Sequence, residues 1–258
     1  SYQNKVNDQP FPFGPSDGGS DNNLSWDSGG DQSLRRQRLR NLWTILFMSR
    51  GVPMVVAGDE FGRTQNGNNN PWALDSIAMR NNYAAIPTNA PQAVAVEAGV
   101  EAAYNNNLGT YDTDAHVNGQ FRFATFVANL RHRHPALQQS HYGDLIPDNE
   151  DVSYLFHTPS GDGYPQEGQR AVAVHINSPG DDFWMMVNMA DVDVDFAVAD
   201  APEGWVWRRL IDTAEWAEPA CNHWPEGEGR VVQGGATVAP WSVVVWHQSP
   251  GLAADEEE

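Results

Sequence analysis

Residues 51–60 read Gly51-Val-Pro-Met-Val-Val-Ala-Gly-Asp-Glu60 and continue through Phe61-Gly-Arg63 to Asn68, Asn69 and Asn70. Val52, Met54, Val55 and Val56 form a short apolar run between two glycines, the pattern of a strand buried on both faces of a parallel sheet. The run then gives way to Asp59, Glu60, Arg63, Gln65 and three asparagines. In α/β barrels and open α/β sheets, ligands bind where such a strand ends. The same residues also fit a core strand followed by an ordinary polar loop.

Working outward, Leu39, Leu42, Trp43, Leu46 and Phe47 fall at helical spacing and predict a helix over 33–50 with one apolar face. Asp31 or Ser33 suits its start, and Arg50-Gly51 its end. Arg35, Arg36, Arg38 and Arg40 are expected on a solvated face. A second helix is expected at 119–134. Between the two, residues 75–118 lack sustained periodicity and read as an insertion, with a short helix from Ala93 to Ala103.

Beyond Pro135 the texture becomes β. Runs at 152–156, 171–176, 183–187, 192–198, 205–211, 231–232 and 241–246 are separated by turn signals such as Ser178-Pro-Gly and Pro202-Glu-Gly. Short strands at this spacing predict an antiparallel sandwich. Val192, Val194 and Phe196 alternate with Asp191, Asp193 and Asp195, one buried face and one acidic face. Residues 1–30 are rich in turn formers, yet interleave Phe11, Phe13 and Trp26 with Asp17, Asp21, Asn22 and Asn23. Aromatic faces beside donors and acceptors suit sugar rings. They also suit a surface loop pinned by its own aromatics.

Composition excludes several classes. The 34 acidic residues outnumber 15 basic ones, and the net charge is −19. A nucleic-acid partner requires a basic face, so none is expected. No stretch approaches the roughly 18 apolar residues of a membrane span, and Ser1-Tyr-Gln-Asn-Lys5 has no signal-peptide pattern. With Cys221 as the single cysteine, a reducing, cytoplasmic location is expected. Gly-x-Ser-x-Gly, phosphate-loop and His-Glu-x-x-His motifs are absent. His132 and His134, two apart on a helix, face different ways, so no metal is expected there.

The order Gly51-x-Pro53-x-x-x-x-Gly58-x-Glu60, then Asn68-Asn69-Asn70 and Leu74-Asp75, resembles isoamylase-type debranching enzymes of the alpha-amylase superfamily of glycoside hydrolases. Pro12-Phe-Gly-Pro-Ser-Asp17-Gly-Gly before it is similar too. So are Phe126 to Leu137, like the family's last barrel helix, and Trp207 through Trp216, like its C-terminal sandwich.

The resemblance implies an α/β plus all-β chain: the C-terminal part of a (β/α)8 TIM barrel over 1–138, an antiparallel β-sandwich domain over 139–250, and an acidic tail over 251–258. It implies a retaining hydrolase of α-1,6-glucosidic branch points in glycogen and amylopectin, needing no cofactor. Retaining enzymes use two carboxyl groups about 5 Å apart. The resemblance assigns neither to this chain and places the catalytic carboxylates upstream of Ser1, so the missing N-terminal part of the barrel is an expected partner. Asp17, Trp26, Asp59, Glu60, Arg63, Asn68, Asn69 and Asn70 are the expected substrate-binding residues. Asp59 and Glu60 are adjacent on an extended segment and point opposite ways, which argues against their being the catalytic pair. The alternative is a non-catalytic carbohydrate-binding or structural subunit that completes a barrel supplied by another polypeptide.

Overall fold

The computed structural model describes residues 26–63, 72, 74, 80, 81, 83, 86, 93–97, 100–103, 118–139, 152–161 and 163–251. Expectations for Asp17, Asn68, Asn69 and Asn70 and for the tail fall outside them. The chain divides into two compact units, residues 1–36 with 54–125, and residues 37–53 with 126–258.

Helix α1 spans Gln32–Met48 and helix α2 spans Gly119–Arg133. Each begins on a polar side chain that accepts an otherwise unpaired N–H. Asp31 Oδ1 accepts from Leu34 N at 3.0 Å, and Asn118 Oδ1 from Phe121 N at 3.0 Å. After α1 the chain turns at Gly51, whose φ of 99° is costly for any residue with a Cβ.

The strands are β1 Ala93–Glu97, β2 Val100–Ala103, β3 Ser153–His157, β4 Ala171–Asn177, β5 Phe183–Asn188, β6 Val194–Phe196, β7 Trp205–Asp212, β8 Val231–Val232, β9 Ala236–Val238 and β10 Ser242–Pro250. Six of them form one antiparallel sheet in the order β3-β4-β5-β10-β7-β8, and β6 pairs with β9 in a second. One core joins these two sheets: Trp184, Met186, Trp207, Val244 and Trp246 of the large sheet pack with Phe196 and Val238 of the small one. Strand side chains alternate between faces, and the opposite set, Phe183, Met185, Val243 and Val245, is buried as well. The large sheet is therefore covered on both sides at its centre.

Within the second unit, α1 meets the sheet through its polar side. Gln37 Nε2 donates to Pro240 O, Trp241 O and Ser242 Oγ at 2.7–2.9 Å. Arg40 pairs with Glu218 at 3.0 Å and donates to Thr213 O. Thr213 Oγ1 donates to Asn41 Oδ1 at 2.5 Å. Arg131 of α2 donates to Phe47 O, Ser49 O and Gly51 O, three carbonyls around the end of α1.

Four expectations are corrected. Residues 52–56 form no strand, and Val52 and Met54 are 93% and 88% exposed; a strand needs a paired neighbour, and the described residues supply none. Arg38 and Arg40 are buried rather than solvated, because their guanidinium groups find carbonyl, carboxylate or aromatic partners, as in the stacking of Arg38 on Trp241. Ala93–Glu97 and Val100–Ala103 are strands paired antiparallel, not parts of a helix; the period-2 placing of Val94 and Val96 favours extended chain. Val192 is exposed and lies before the strand, and of the expected face only Phe196 is buried, with Val194 partly so. Among the described residues, no helix is long and apolar enough to cross a membrane.

Candidate functional site

The expected substrate-binding residues that fall within the described chain, beside Trp26, are Asp59, Glu60 and Arg63. They sit on a 3-10 turn, Asp59–Phe61, bracketed by Gly58 and Gly62 in the left-handed region. Gly58 is fixed by φ and by space: a Cβ there would lie 2.6 Å from Arg63 Cδ and 2.6 Å from Asn81 Oδ1. This turn replaces the extended segment expected for Asp59 and Glu60, and the two carboxylates take different partners. Glu60 Oε2 folds back to accept from Gly58 N at 2.7 Å, while Asp59 pairs forward with Arg63 at 3.0 Å. Phe61 anchors the turn, fully buried and edge-on to Tyr83 at 5.5 Å. Trp26 presents an aromatic surface, 47% exposed.

Two supporting residues escaped the sequence reading. Asn81 Nδ2 donates to Ala57 O at 2.8 Å, and Asn118 Nδ2 donates to Phe61 O at 3.2 Å. Asn118 thus uses its amide nitrogen on the turn and its carbonyl oxygen on the first turn of α2. The available signal was a lone Asn ahead of a helical pattern, which marks a cap but not the second bond. Both carboxylates are committed to bracing, and Arg63, half-buried, is held by Asp59. The arrangement provides a preorganised polar ledge rather than an acid–base pair.

No family profile matches the chain. It is 32% identical over 230 residues to an isoamylase of Flavobacterium sp., covering 84% of this chain and 26% of that protein. It is 27% identical over 245 residues to an isoamylase of Pseudomonas amyloderamosa, covering 90% and 27%. The structure is similar to that of GBS pullulanase solved with maltotetraose, with a TM-score of 0.50 at 17% identity, over 86% of this chain and 29% of the other. That likeness is one of fold alone, and the described part of the fold is rich in antiparallel sheet. By sequence, most of the chain is similar to isoamylases. It spans about a quarter of the length of the curated relatives it matches.

Proposed function

We propose that this chain is the C-terminal part of a glycoside hydrolase that cleaves α-1,6-glucosidic branch points of glycogen and amylopectin with retention and without a cofactor. The observation that carries the reading is the 32% identity to an isoamylase across 84% of the chain. In this reading, residues 1–138 supply the last barrel elements, 139–250 a β-sandwich, and 251–258 a tail. The catalytic carboxylates lie upstream of Ser1. The exposed apolar residues Leu42, Leu46, Val52, Met54, Val55 and Val56 support it, since apolar side chains left facing water are what a segment presents when its packing neighbours are supplied by more polypeptide. The similarity to named hydrolases along most of the chain favours this reading over a non-catalytic subunit.

Asp17, Trp26, Asp59, Glu60, Arg63 and Asn68 to Asn70 line the glucan cleft in this proposal. Asparagine offers both a donor and an acceptor to sugar hydroxyls without bringing in a charge. The test is release of reducing ends from amylopectin, by the 258-residue chain alone and by the protein extended through its upstream coding sequence. Activity is expected only in the extended protein, and a switch of its products from branch-point cleavage to internal α-1,4 cleavage would overturn the specificity. In the extended protein, Asn69→Ala or Asn70→Ala should cost about 1–3 kcal/mol in kcat/KM with Tm unchanged; a fall in Tm at parental kcat/KM makes them turn formers instead.

A further inference from the structure

The second unit contains a side-chain cluster that the glucan chemistry does not use. His134 follows α2, Asp181 lies in the turn between β4 and β5, His247 is on β10, and Glu226 is in the loop between β7 and β8. They line an open cleft of about 700 Å³ together with Arg133, Trp205 and the Ser178-Pro-Gly180 turn. His134 Nδ1 lies 2.5 Å and His247 Nε2 3.2 Å from the same oxygen, Asp181 Oδ1. One donor atom from each of the three residues falls within a 4.8 Å cluster.

We propose that His134, Asp181 and His247 form a binding site for a divalent transition-metal ion of the zinc class, with Glu226 orienting His134 from behind. Two imidazoles and one carboxylate are borderline-soft nitrogen and oxygen donors, which suit zinc and its first-row neighbours rather than calcium or magnesium. The site is built rather than incidental. His134 is nine-tenths buried, with a side-chain exposure of 9%, and both imidazoles are fixed against Phe183, His134 edge-on at 5.0 Å and His247 stacked at 4.5 Å.

Asp181 Oδ2 is buried without a hydrogen-bond partner, so a ligand oxygen stands idle in the cluster. His134 Nε2 points away from the cluster, 3.3 Å from Glu226 Oε2 and not yet aligned as a hydrogen bond. A small rotation gives the carboxylate–histidine–metal arrangement that sets ligand orientation in metal sites. Arg133 holds Glu226 in place through Oε1 at 3.0 Å. Asp182, the other nearby carboxylate, is turned toward Ser178 N and His175.

Metal entry would displace the N–H protons that His134 Nδ1 and His247 Nε2 present to Asp181 Oδ1, each leaving to solvent or moving to the other nitrogen of its ring. The His134–Asp181 separation would then open from 2.5 Å to about 3.3 Å, the edge of a tetrahedron with arms of about 2 Å and close to the 3.2 Å already found between His247 and Asp181. The open side of the cleft leaves the fourth position to water. The ion would tie the end of α2 to β10 and the β4–β5 turn.

The experiment is equilibrium dialysis of the chelator-stripped 258-residue chain against Zn²⁺, with Co²⁺ as a spectroscopic replacement. One ion per chain is expected, with the visible d–d bands of tetrahedral Co²⁺. His247→Gln and Asp181→Asn should each weaken binding by about ten- to a hundred-fold, whereas His132→Gln, at an exposed position two residues before His134, should not. Absence of stoichiometric binding by the parent chain overturns the proposal whether or not the variants fold, and leaves a proton-bridged His–Asp–His clasp. Parental affinity in both folded variants also overturns it and assigns the ion to surface groups.

Discussion

Strand β5, Phe183-Trp-Met-Met-Val-Asn188, and the run Val52-Pro-Met-Val-Val56 have similar apolar content and opposite environments. All six residues of β5 are buried, between the ladders of β4 and β10. Val52, Met54, Val55 and Val56 of the second run are exposed, and no ladder is formed among the described residues. An apolar run therefore states a demand for burial, and only its neighbours decide whether the demand is met. Helix α1 makes the same contrast across its own width. Its polar side (Gln37, Arg40, Asn41, Thr44) is buried, while Leu42 on its apolar side is 58% exposed.

The sharpest way to break this contrast is at the polar contact of α1. Arg40 and Glu218 are a buried pair, and Arg40 also donates to Thr213 O. Arg40→Met removes one partner and strands a carboxylate away from water, so a loss of about 3–5 kcal/mol is expected in urea unfolding followed by tryptophan fluorescence. Arg40→Met combined with Glu218→Leu should recover much of it, because neither charge then needs a partner. If the double variant is as unstable as the single one, the contact depends on the Thr213 carbonyl bond and not on the ion pair.

A second, smaller effect lies at the other side of that contact. Asp212 accepts from Ala214 N at 3.1 Å and pairs with Arg209 at 3.2 Å. Burial nonetheless pushes its pKa up to about 6 from 3.8, against the pull of the Ala214 N–H, Arg209 and Arg40. A folded-state carboxyl that holds its proton more tightly than the unfolded one costs stability in full above pH 6, and the cost is relieved as pH falls from 6 toward 3.8. Asp212→Asn should therefore gain up to about 3 kcal/mol over the parent near pH 8 and no longer differ favourably near pH 4. A difference that stays constant across that range means the ionised form is as well accommodated as the neutral one.

What could be read in the sequence follows the same division. The helices and the seven β runs were legible because their periodicity is local. The paired strands Ala93–Glu97 and Val100–Ala103 were misread because alanine and glutamate favour helix while the alternate valines favour strand. The buried arginines of α1 were misread because charge predicts solvent unless partners are known, and those partners lie some 170 residues away in Thr213 and Glu218. At the Gly58–Arg63 turn, the residue types were legible but not their commitments. That Glu60 folds back on Gly58 N and that Asn81 and Asn118 brace the turn are facts of the tertiary structure. The His134–Asp181–His247 cluster draws on three separate elements and left no spacing to find.

The smallest expected effect tests the contrast most directly. Val52→Ser and Met54→Ser remove apolar groups that already face water, so there is little burial to lose. In the 258-residue chain each should change unfolding stability by no more than about 0.5 kcal/mol. Val245→Ser on β10 is the matched control, because Val245 is wholly buried and the change both loses its transfer free energy and buries a hydroxyl, for an expected loss of about 2–4 kcal/mol. In the protein extended upstream, Val52→Ser should move toward the Val245→Ser value, since a completed barrel would bury that side chain. If Val52→Ser already costs the chain alone as much as Val245→Ser does, residues 52–56 are packed within it, and their exposure no longer argues for a missing partner. If it stays silent in the extended protein, these residues face solvent there too and are not a barrel strand.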